Sequence, residues 1–153
     1  MEFHEVLKFV HVAAAIVWVG GAVTLELFGG RTARRGDTGA VVAFSEDAQV
    51  IGRIYGLATA LVLAMGIWMV IDSPAIEFSD AWILISLILT AVMFVAGPGF
   101  FEPTAKKIGA AAAEHGGDAP QTKALISRMM VVGRLDSLVA FFIVWLMVVK
   151  PGA

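Results

Sequence analysis

The sequence predicts an all-α, polytopic membrane protein: one four-transmembrane-helix bundle with cytoplasmic helical extensions and both termini outside. Three observations predict it. Hydrophobic residues make up 59% of the 153 and charged residues only 16%, and the mean hydropathy is +0.85, far above the apolar share of soluble domains. Four runs, 6–28, 50–71, 81–101 and 129–149, reach the roughly 20 mainly apolar residues needed to cross a hydrocarbon core. The basic residues gather in alternate connections, as the positive-inside rule requires. At this length the chain is a single domain, 1–153.

Each element follows in turn. The start, Met1-Glu2-Phe3-His4-Glu5, is acidic and lacks the basic region of a signal peptide. The apolar run after it is too long to be cleaved, so it is expected to stay as the first span. The connection behind it carries Arg31, Arg34 and Arg35, and Asp37-Thr38 is placed to cap a helix leading into the second span. The short turn 72–80 has no basic residue.

The third span ends in Gly97-Pro98-Gly99, which is expected to kink or loosen it. The alanine-rich stretch 104–114 prolongs it beyond Pro103. Gly116-Gly117-Asp118-Ala119-Pro120 reads as a break, with Pro120 opening the fourth helix. That third connection holds Lys106, Lys107, Lys123 and Arg128. Charge bias therefore puts the first and third connections in the cytoplasm. Trp68, Trp82 and Trp145 fall near the outer ends of their spans, where an interfacial aromatic belt is expected.

Several classes are excluded. The chain has no cysteine, so disulfides, iron–sulfur clusters and thiolate metal sites are out. A net charge of −2, without a basic stripe interleaved with aromatics, argues against a nucleic-acid partner. The lipid bilayer is the expected partner. On the second span Gly52, Gly56, Ala60 and Ala64 recur every fourth residue. Such a small-residue stripe lets helices approach closely, either within the bundle or at the seam of a homodimer or a membrane protein partner.

Ionisable groups at membrane depth are costly and are functional candidates by default. His4, His11 and Trp18 are spaced by seven and share one face of the first helix. A neutral imidazole facing the bundle interior can bind haem iron or copper, or simply hydrogen-bond to a neighbouring helix. No second histidine lies in another span, and Met65, Met69 and Met147 are the candidate thioether partners. A second group, Glu26, Arg53, Glu102, Arg134 and Asp136, gathers toward the cytoplasmic ends. The expected pairings are Arg53–Asp136 and Glu26–Arg134. They would fix helix register, bind haem propionates or form part of a proton path.

The first-helix run His11-Val12-Ala13-Ala14-Ala15-Ile16-Val17-Trp18-Val19-Gly20-Gly21 resembles the signature of copper-resistance D (CopD) type membrane domains. The whole chain resembles more nearly a small bacterial integral membrane family, domain of unknown function 2269. It shares four spans, the arginine-bearing first loop, Pro98 and Pro103 at the inner end of span three, and the ending Met147, Lys150, Pro151. The wider group includes HemJ-type protoporphyrinogen oxidases, which use a first-helix histidine with haem b. By that resemblance His11 is the axial ligand, with Trp18 packed beneath the cofactor and Arg53 and Arg134 balancing charge. The middle-helix basic residues of HemJ-like chains have no equivalent here beyond Arg53, so substrate oxidation is not implied.

The leading expectation is a bacterial inner-membrane protein that binds haem b, or alternatively copper, through His11 for electron transfer or porphyrin or metal handling. Copper transport through His4, His11 and bundle methionines is the second, and an accessory subunit of a larger membrane complex the third. Of the two halves, only the outer one is expected to hold a cofactor.

Overall fold

The computed structural model describes residues 3–152; Met1 and Glu2 of the acidic start lie outside them. Every regular element among the described residues is helical. Helix α1 covers Phe3–Arg35, α2 Thr38–Asp72, α3 Ala81–Ala96, α4 Glu102–His115 and α5 Pro120–Val149. A π-helical turn, Gly97–Phe101, joins α3 to α4 without a break in the rod. Four helical rods are long and apolar enough to span a membrane. The chain is an integral membrane four-helix bundle.

The rods outrun the apolar segments, and the excess forms the basic hairpin tips. Asp37 caps α2, its carboxylate accepting from the Ala40 amide at 2.7 Å. Pro120 sits in the first turn of α5, where its missing N–H costs nothing. The tips are locked together: the Gly117 amide donates to the Thr38 hydroxyl at 2.9 Å. A side chain at Gly117 would stand 2.6 Å from the Gly36 carbonyl oxygen, so this crossing of the two tips admits only glycine. Val41, Ile108 and Ala112 form a small apolar core just behind it.

At the end of the bundle bearing the chain termini, packing is dense. Ala14, Trp18, Ala58, Val62, Met93, Ala140 and Ile143 make one buried cluster. Val70, Trp82, Ile83 and Leu146 make another. Trp68 and Trp145 are both half exposed, as a lipid-facing belt requires. Trp82 differs, being only 3% exposed. It lies at the start of α3 on the face turned to α2 and α5, and Lys150 caps its ring at 5.4 Å. The belt therefore has two tryptophans, and the third belongs to the core.

A hollow among ionisable groups in the basic half

Between the terminal-end core and the hairpin tips the bundle is hollow. A cavity of about 380 Å³ lies there, with walls from α1, α2, the α3–π–α4 rod and α5. Along α2 its lining runs from Val41 to Thr59, roughly 27 Å at 1.5 Å rise per residue. Small residues create the space. Gly52, Gly56 and Gly97 line it, and a Cβ at any of the three would meet nothing within 4 Å. The stripe on α2 therefore does not form a close helix contact at its glycines.

Polar groups converge on this hollow. Tyr55 donates its phenolic hydrogen to Asp136 Oδ2 at 3.1 Å, joining α2 to α5. Glu26 reaches across from α1 so that a Cβ at Gly133 would lie 3.3 Å from its Oε1. That places it one turn before Asp136 on the same face of α5. Glu26 Oε1 is buried and has no hydrogen-bond partner, and neither has the Ser137 hydroxyl, whose residue is 7% exposed. Glu26, Tyr55, Asp136 and Ser137 all line the cavity. An unpartnered buried oxygen normally costs free energy, so such atoms mark where a ligand group belongs.

The expected pairings are not formed. Asp136 is bonded to Tyr55 rather than to Arg53, and Glu26 lies against Gly133 rather than Arg134. Among the described residues no Lys or Arg forms an ion pair with Glu26 or Asp136. Arg134 is exposed and outside the cavity lining, because two positions on a helix separate it from Asp136 by more than a quarter turn. Arg53 does line the cavity, at its exposed edge, and so does Glu102. Glu102 in turn pairs with Lys106 at 2.7 Å.

The residues of the terminal half are arranged separately. His4 Nδ1 meets Asp72 Oδ2 at 2.9 Å, tying the free ends of α1 and α2. His11 faces α2; a Cβ at Gly66 would lie 3.2 Å from its Cε1. Its Nδ1 is buried without a hydrogen-bond partner. Trp18, on the same face, is 1% exposed and packs edge-on against Tyr55 with ring centroids 6.5 Å apart. Neither His11 nor Trp18 lines the cavity. The four residues expected around a cofactor, His11, Trp18, Arg53 and Arg134, thus do not converge on one space.

Tyr55 and Ser137 were not anticipated. The signal was present for Tyr55: it is the chain's one tyrosine, and it lies within a span, where a hydroxyl needs a partner. No curated protein and no solved structure matches the chain. A protein-family match does exist, and it agrees with the bundle just described. Residues 5–151 match the family described as predicted integral membrane protein (DUF2269), and the chain belongs to that family.

Proposed function

We propose that the protein is a membrane-embedded binding or carrier protein that takes a small organic molecule into its basic-half cavity. The observation that carries this reading is the hollow itself, about 380 Å³ of mostly apolar space with Glu26, Tyr55, Asp136 and Ser137 on its wall. An apolar pocket with a few convergent polar groups is the usual form of a small-molecule site. The bilayer concerned is taken to be the bacterial inner membrane, with the basic tips in the cytoplasm by charge bias.

Photolabelling tests it. A diazirine-bearing dodecanol, incubated with the protein in phosphatidylcholine nanodiscs, should label cavity-wall residues such as Met93, Met129 or Phe44. Gly56→Trp fills the space and should abolish that labelling. Labels confined to the lipid-facing surface would sink the proposal. A second copy docking on the open Gly52–Gly56 face would instead show as a dimer lost in the same variant.

A second reading, from the resemblance to CopD and HemJ-type domains, keeps His11 as a ligand to haem b or to copper. The unpartnered Nδ1 favours it. The surroundings do not fit a macrocycle, since Gly66 closes one side of the ring and Trp18 is sealed into the core. Copper through His4 and His11 together is no easier: seven residues of helix separate them by roughly 10 Å, and His4 is held by Asp72. No group of three or more His, Asp or Glu suited to a metal occurs among the described residues. The absorption spectrum of purified protein decides this reading; a Soret band lost in His11→Ala would restore it.

A further inference from the structure

We infer that the molecule this cavity accepts is an amphiphilic organic cation, an ammonium group on an apolar chain, that enters sideways from the bilayer and seats its charge between Glu26 and Asp136. The inference rests on the proposed ligand-binding role and adds the charge class of the ligand and its route.

The charge class comes from what the hollow lacks. Three carboxylates line it: Glu102 is paired with Lys106, whereas Glu26 and Asp136, from facing helices, pair with no basic side chain among the described residues. Asp136 is partly answered by the Tyr55 hydroxyl, whereas Glu26 Oε1 and the Ser137 hydroxyl have no partner. An ammonium carries three donors and no acceptor, the complement of those oxygens. A carboxylate or phosphate seated between Glu26 and Asp136 would be repelled, and a neutral chain would leave the charge of Glu26 unanswered. A calcium or magnesium ion would need six or more oxygens around it, and no group of three or more His, Asp or Glu suited to a metal occurs among the described residues. The remaining walls, including Leu25, Phe44, Met93 and Met130, supply apolar contact instead. Methionine and phenylalanine make such a surface adaptable to chains of differing shape.

The route comes from where the wall is open. Of all the residues lining the cavity, only Gly52, Arg53, Phe94 and Pro98 are exposed. All four lie on the seam between α2 and the α3–π rod, so the mouth is there. Gly52, Phe94 and Pro98 belong to the apolar runs of their rods, which puts the mouth at membrane depth near the inner interface. Beside Gly52 and beside Gly97 of the π turn the seam is empty, since a Cβ at either would meet nothing within 4 Å. Arg53 stands at its exposed edge and forms no ion pair with Glu26 or Asp136.

The experiment is a competition against the diazirine-dodecanol label in phosphatidylcholine nanodiscs. Dodecylamine, dodecanol and dodecanoic acid share one chain and differ in charge. Dodecylamine should protect the cavity from labelling at about one-tenth the concentration of dodecanol, with dodecanoic acid weakest. The Glu26→Gln/Asp136→Asn double variant should erase the amine's advantage while still being labelled. Equal protection by amine and alcohol in the unmodified protein overturns the charge class, and so does stronger protection by the acid. That result depends on no variant folding. Gly52→Trp has open space to occupy and should slow labelling several-fold; an unchanged rate overturns the lateral route. Failure of the label to reach the cavity at all would instead remove the ligand-binding role.

Discussion

The two halves of this bundle solve the same packing problem in opposite ways. In the terminal half, large and small side chains alternate across the helices: Trp18 is set among Ala14, Ala58 and Ala140, and Trp82 against Val70 and Leu146. In the basic half, Gly52 and Gly56 of α2 and Gly97 of the π turn face open space and leave a void edged by carboxylates, while Phe44 and Glu26 fill the room beside Gly29 and Gly133. Lipid tails are as apolar as leucine, so helices in a bilayer hold together by dispersion and close fit. One half supplies that fit in full. The other forgoes it, and its hairpin tips are clamped by a separate apolar core and the Thr38–Gly117 bond. A void braced at both ends, rather than collapsed, is what a binding site in a bundle requires.

The comparison breaks most readily at Trp18. Trp18→Ala removes the largest fully buried side chain, and large-to-small changes of this kind cost about 3–5 kcal/mol where the cavity cannot collapse. Thermal unfolding in detergent should show this as a large drop in Tm. A Tm close to that of the unmodified protein would mean the terminal half is not the rigid one.

Overpacking should separate the halves next. Ala140 is 0% exposed within the dense cluster, so Ala140→Leu should destabilise by about 1–3 kcal/mol. A leucine at Gly56, a still larger insertion at a position where a Cβ meets nothing within 4 Å, should cost little. It also replaces a helix-interior glycine, which returns up to about 1 kcal/mol. Gly56→Leu is therefore expected to leave Tm unchanged or raised. Equal losses at both positions would show that the hollow closes in the bilayer.

This contrast was only partly legible in the sequence. Span lengths, the Asp37 cap, the Pro120 start and the loosening at Gly97-Pro98-Gly99 follow from local rules, and the structure forms each. The small-residue stripe was visible, but glycine every fourth residue records only missing side chains. Whether a neighbouring helix or empty space fills the gap depends on the angle between α2 and α3, which no local pattern contains. The charged residues misled for a related reason. Arg53 and Arg134 were paired by sign and depth, yet long arginine stems reach outward at an interface, and both are exposed. Asp136 found a neutral partner, Tyr55, that a search among charges passes over.

The smallest expected effect sharpens the account of that polar pair. Tyr55→Phe deletes the hydroxyl that bonds Asp136 at 3.1 Å and keeps the ring that packs on Trp18. Hydrogen bonds between membrane helices average about 0.6 kcal/mol, because in the unfolded reference state within the bilayer the groups find other partners. Tm should therefore fall only slightly, well short of the Trp18→Ala change. If the hydroxyl instead served as a structural clamp for the hollow, its loss would rival a core deletion, and the basic half would owe its shape to polar contacts. A near-neutral Tyr55→Phe leaves the hairpin-tip core and the glycine geometry as what keeps the cavity open, and frees Tyr55 and Asp136 to meet a ligand.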